Sequence, residues 1–139
     1  GAAPTDIIFD VPFDAPNVLY YQCTSHTKMG GRFIIGGGGN IPQNVKTSSY
    51  TLMASDTGKH ISITTGGVTV PYGVFKTGDV VTIYNNSSSS QTITQGTLIT
   101  LRQAGTSNIG NRTLAGYGVA TLMCVASDTE FVISGEGLS

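Results

Sequence analysis

The sequence predicts an all-β protein, and three observations carry that expectation. Only 11% of the 139 residues are charged and only two are Glu, whereas 13 Ser and 19 Thr supply most of the polar surface. Exposed helix faces are built largely from Glu, Lys, Arg and Ala, so a surface wetted by Ser and Thr favours strands. Nineteen glycines and five prolines punctuate the chain at short intervals, as tight turns require. From residue 50 onward short runs alternate apolar and polar side chains, the period-two signature of a strand with one buried face.

The elements follow in order. Val18-Leu19-Tyr20-Tyr21-Gln22-Cys23 and Arg32-Phe33-Ile34-Ile35, with the turn Met29-Gly30-Gly31 before the second run, predict an N-terminal β-hairpin. Gly36-Gly37-Gly38-Gly39 then interrupts the pattern with maximal backbone freedom and no side chain to bury. This sets the expected organisation: a β segment over 1–35, a joint and linker over 36–49, and an all-β module over 50–139. The glycines do not open a phosphate-binding loop, because Asn40-Ile41-Pro42 follows where Gly-Lys and Ser or Thr are needed. In the module, strands are expected over 50–53, 60–64, 68–71, 80–84, 91–94, 98–101, 118–125 and 130–135. The pair 80–84 and 91–94, joined by the polar loop 85–90, reads as a hairpin. Eight short strands at this spacing predict antiparallel pairing in a β-sandwich, jelly roll or small barrel.

Charge excludes several functions. Seven Lys plus Arg against eight Asp plus Glu give a net charge of −1, which offers no basic field to nucleic acid and no polybasic patch to a membrane surface. No apolar run approaches the roughly 20 residues that span a bilayer, so no membrane insertion is expected. The acidic residues Asp14, Asp56, Asp79 and Asp128 stand at turn positions, where Asp bonds nearby backbone, and no pair of them suggests acid and base. Neither His26 nor His60 has a neighbouring nucleophile motif such as G-x-S-x-G. The chain is expected not to be an enzyme. Its recognition candidates are uncharged: Tyr72 after Pro71, Tyr117 between two glycines, and Asn85, Asn86, Asn108 and Asn111 in polar loops, groups able to stack on or hydrogen-bond to a neutral glycan.

A resemblance extends this reading. Tyr50-Thr51-Leu52 before Ser55-Asp56-Thr57-Gly58-Lys59 is followed by Val68-Thr69-Val70-Pro71 and by Gly78-Asp79-Val80-Val81-Thr82-Ile83-Tyr84-Asn85-Asn86. Thr92-Ile93-Thr94-Gln95-Gly96, Gly116-Tyr117-Gly118-Val119-Ala120-Thr121-Leu122 and Phe131-Val132-Ile133-Ser134-Gly135 complete the series. In order and spacing these resemble a C-terminal module of tail-fibre-like virion proteins of tailed bacteriophages of the cyanophage or marine type. The resemblance implies a structural and host-recognition component of a virion, assembled in the host cytoplasm. It also implies a homotrimer that contacts other virion proteins and a cell-surface glycan through a receptor-binding tip. A capsid decoration (cement) protein is the alternative use of the same module. Association has a physical reason as well: Ile7, Ile8, Phe9, Phe13, Val18, Leu19, Phe33, Ile34 and Ile35 are too few to close a core alone.

The N-terminal stretch 14–31 is similar to the C-terminal copper loop of cupredoxin-like domains. Cys23, His26 and Met29 would turn a thiolate, an imidazole and a thioether toward one metal, and soft sulfur with imidazole selects copper. The second histidine of such a site is missing, since His60 lies beyond the glycine joint. The expected cofactor is therefore none, with Cys23, His26 and Met29 an incomplete metal site and a copper-binding fragment the least favoured reading. Cys23 and Cys124 fall in different segments, and no disulfide between them is expected.

Overall fold

The computed structural model describes residues 16, 18–22, 30–34 and 40–139, and the chain divides into two units, Gly1–Asn40 and Ile41–Ser139. In the first, β1 (Val18–Gln22) pairs antiparallel with β2 (Gly30–Ile34), Val18 opposite Ile34 and Gln22 opposite Gly30. Alternation leaves Val18 and Tyr20 exposed on β1.

The second unit contains β3 (Gln43–Lys46), β4 (Tyr50–Thr51), β5 (His60–Ile63), β6 (Val68–Val70), β7 (Val80–Asn85) and β8 (Gln91–Gln95). They are followed by β9 (Thr100–Gln103), β10 (Arg112–Ala126) and β11 (Glu130–Leu138). The first six form a coil of three turns. β3, β5 and β7 lie side by side in parallel as one wall, and β4, β6 and β8 form the other, also in parallel. β10 joins the two walls: Val119 to Met123 run antiparallel to β7, and Arg112 to Leu114 run antiparallel to β8. β11 returns antiparallel along β10 and carries β9 in parallel on its far edge. The result is a nearly closed, barrel-like sheet.

The inward residues follow from the alternation. Ile61, Ile63, Val81, Ile83, Val68, Val70, Ile93, Leu101, Leu114, Leu122 and Ile133 are buried in one apolar cluster. Phe75 and Phe131 meet edge to face in it, with ring centroids 6.0 Å apart.

The all-β class holds, and the longest helical piece in this unit is a single 3-10 turn, Ala54–Asp56. Among the described residues no helix is long and apolar enough to cross a membrane. Strand direction departs from expectation, because five of the eight pairings in this unit are parallel. Alternation reports which face a strand buries and is silent about the direction of its neighbour. The expected hairpin between 80–84 and 91–94 does not form: β7 and β8 stand in opposite walls, so the loop between them turns a corner without reversing the chain. Residues 41–49, assigned by composition to the linker, belong to this unit, and β3 is its first strand. That strand was silent in sequence because Asn44 and Lys46 take the positions that carry isoleucine one turn later.

Candidate functional site

Three features organise the polar groups of this unit: a knot inside the first turn of the coil, a ladder of corners at one end of the walls, and a cluster of loops at the other. In the knot, Asn44 lies in register with Ile61, Lys46 with Ile63, and Tyr50 with Val68. Asp56 is fully buried, and its carboxylate accepts hydrogen bonds from Asn44 Nδ2 (2.8 Å), the Tyr50 hydroxyl (2.8 Å) and the Met53 backbone N–H (2.8 Å). Lys46 Nζ sits 4.2 Å from the centroid of the Tyr50 ring. Burial, and then the adjacent Asp56 carboxylate, push the Tyr50 hydroxyl above the usual tyrosine value. Asp56 spends its lone pairs on the fold, so the knot caps the apolar core and presents no reactive group.

The corner ladder follows from the parallel register. Lys46, Ile63 and Asn85 end consecutive strands of one wall, and the turns that leave them stack: Thr64 N–H donates to Lys46 O (3.1 Å) and Asn86 N–H to Ile63 O (2.8 Å). The turns comprise residues 47–49, 64–67 and 86–90, and every side chain in them is uncharged. Gln91 ties two together, donating through Nε2 to Thr64 O and accepting from Gly67 N–H through Oε1. Asn85 is wholly buried. Its Nδ2 reaches Ser89 O (2.7 Å), Leu114 O (3.1 Å) and Ala115 O (2.9 Å), while its Oδ1 accepts from the Ser87 hydroxyl (2.8 Å). Its amide is thus engaged within the fold on both sides, and Asn85 is corrected from a candidate ligand group to the residue that fastens β10 to the last turn of the ladder.

Tyr117 stands on that fastening. Between Leu114 and Val119, β10 bulges away from β11, and Tyr117 at the bulge donates its N–H to Ser87 O (3.0 Å). The residue is 65% exposed and its backbone is left-handed, φ 61°. The structure therefore brings Tyr117 and the exposed Asn86 to one corner.

The remaining candidates lie toward the other end of β8. Asn111 is exposed, but its Oδ1 accepts from Gln95 N–H (2.9 Å). Gln95 is in register with Val70, two residues before the exposed Tyr72. Asn108 is exposed in the loop between β9 and β10, where its backbone bonds Gln103 N–H and Thr106 Oγ1. Sequence reasoning missed Leu98, which follows β8 at φ 66° with 73% of its surface exposed. It was read as the start of an apolar strand, and nothing local in the sequence separates it from Ile99, which is buried.

The other candidate chemistry is quickly placed. Cys23, His26 and Met29 lie outside the described residues, and among the described ones no three or more His, Cys, Asp or Glu gather at metal-binding distance. Cys124 is a buried free thiol against Ala126 O (3.3 Å), and burial pushes its ionisation up, away from reactivity. Asp79 accepts from Lys76 N–H (2.8 Å), the turn role expected of it, and the exposed ion pair of Lys76 with Asp128 (3.3 Å) carries little energy. His60 bonds Ile41 O through Nδ1 (3.0 Å). No family model matches the chain, and no curated protein sequence matches it.

Proposed function

We propose that this chain is a structural and host-recognition component of a bacteriophage virion, part of a tail-fibre-like appendage that works as a homotrimer. The observation that carries the reading is the corner ladder: a rigid parallel coil gathers three uncharged turns and an exposed Tyr117 at one place. A scaffold of paired strands that presents uncharged turns suits adhesion better than catalysis. The motifs behind the tail-fibre resemblance also fall on the positions that build this scaffold. Asp56 ties the knot, Asn85 fastens the bulge, and a Cβ on Gly96 or Gly135 would collide with the neighbouring strand's backbone. Association draws further support from the outward side of β10, where Val119, Met123 and Val125 are exposed.

Gold-labelled antibody against the purified chain, imaged on intact particles, tests the location. Label on a tail appendage supports the reading, label over the capsid lattice replaces it with a cement role, and particles without label reject both. Light scattering at micromolar concentration tests the trimer, and a stable monomer would remove it.

A further inference from the structure

We propose that Tyr117 is the stacking platform of a subsite for a neutral sugar, rimmed by Asn86 and the hydroxyls of residues 88–90. The inference rests on the recognition reading above, and it begins from backbone strain. Among the described residues, three other than glycine adopt a left-handed conformation: Leu98, Tyr117 and Asp128. Asp tolerates that region; a bulky aromatic residue pays for it in stability, and Gly or Asn would occupy the same position more cheaply. Burial does not offset this cost, because the residue is 65% exposed.

The surroundings nevertheless hold the residue in place. Tyr117 N–H is bonded to Ser87 O, and Asn85 grips the carbonyls of Leu114 and Ala115 on one side of the bulge. Gly116 and Gly118 permit the close approach: a Cβ on the first would lie 2.5 Å from Ser88 O, and on the second 2.8 Å from Leu114 Cδ1. A strained, exposed side chain whose backbone is fixed from several directions is the pattern of a binding position.

The neighbouring chemistry selects the ligand. Residues 47–49, 64–67, 86–90 and 115–118 contain no ionisable side chain other than the Tyr117 phenol, so these turns offer no charged side chain to an ionic ligand; Glu136 lies beside the bulge, in register with Val119. An aromatic face accepts the C–H face of a pyranose, and amide and hydroxyl groups match its hydroxyls as both donors and acceptors.

The test uses the purified full chain on an array of neutral and sialylated glycans. Saturation-transfer NMR with the methyl glycosides of glucose, galactose and N-acetylglucosamine accompanies it. Neutral glycans should bind, with little change in affinity on raising the salt. Tyr117→Asn should weaken binding about tenfold, the scale of one lost aromatic contact, while leaving the thermal midpoint unchanged or raised. Tyr117→Phe should keep binding. No glycan bound, sialylated glycans alone bound, or Tyr117→Asn binding as well as the native chain would each overturn the proposal. A lowered midpoint in Tyr117→Asn would also overturn it, by showing that the ring packs. None of these outcomes bears on where the chain sits in a particle.

Discussion

The first turn of the coil and the turns stacked on it put opposite chemistry at the same inward positions. Along one row Asn44 is followed by Ile61 and Ile83, and along another Tyr50 is followed by Val68 and Ile93. The later turns are held by apolar burial, and the first by hydrogen bonds converging on Asp56. A stack of parallel strands must end somewhere, and an apolar end would invite another copy to add on. The polar knot fills the inward positions at this end with hydrogen-bonded groups, while Ile41, Val45 and Met53 stay exposed around it.

Exchanging residues between the two regions gives the largest expected effect. Ile61→Asn places the first turn's residue in the second, removing a fully buried side chain and leaving an amide without partners. It should cost about 4–5 kcal/mol in urea denaturation, at the upper end for single substitutions. A cost below about 2 kcal/mol would mean that the inward row accepts polar groups anywhere, and the contrast would fail.

Next comes the knot. Asp56→Ala strands the Asn44 amide, the Tyr50 hydroxyl and the Met53 N–H together, and should cost about 3 kcal/mol. Asp56→Asn should recover part of this, since it keeps one acceptor. If Asp56→Ala is neutral, water satisfies the knot and the cap is ornamental.

These contrasts also explain what could be read in advance. The strands β5 to β9, β11 and the 118–125 part of β10 were legible because apolar residues recur in them with a period of two, whereas Arg112 to Tyr117, the part of β10 that reaches β8, was not expected as strand. β3 was not, because at a capped end the inward residues are Asn44 and Lys46, and a polar inward face has no hydrophobic period. The coil topology was hidden for a different reason: Asn85 to Ser90 has the composition of a reversal, and only the partners of Asn85 make it a corner. Of the six recognition candidates, Tyr72 and Tyr117 were legible from flanking Pro and Gly. Asn85 was misread because a buried amide and an exposed one are spelled alike.

A smaller effect separates the two regions by pH. Tyr50 holds its proton more tightly when folded than the usual tyrosine does, through burial and the Asp56 carboxylate. Its contribution is complete below the unfolded value, about pH 10, and is lost as pH rises through the higher folded value. The native chain should therefore lose stability above about pH 10, and Tyr50→Phe should lose less over that window. At neutral pH the same variant should cost about 1.5 kcal/mol for the bond to Asp56. Identical alkaline profiles would show that folding leaves the affinity of Tyr50 for its proton unchanged.

The smallest effect concerns a polar group in the turn above the knot that lacks such partners. Ser62 is buried on β5, in register with Val45 on one side and Tyr84 on the other, and its hydroxyl has no hydrogen-bond partner. Sterically the site suits a small residue, since both neighbours in the row are larger. A buried hydroxyl that bonds nothing has lost its water without compensation, so deleting it removes a penalty and no interaction. Ser62→Ala should be neutral or stabilising by up to about 1 kcal/mol, whereas the polar groups of the knot each lose stability when truncated. Denaturant midpoints with unchanged slopes decide between them. If Ser62→Ala is destabilised by more than about 1 kcal/mol, the hydroxyl is engaged, and hydrogen bonding would then stabilise the second turn as it does the first.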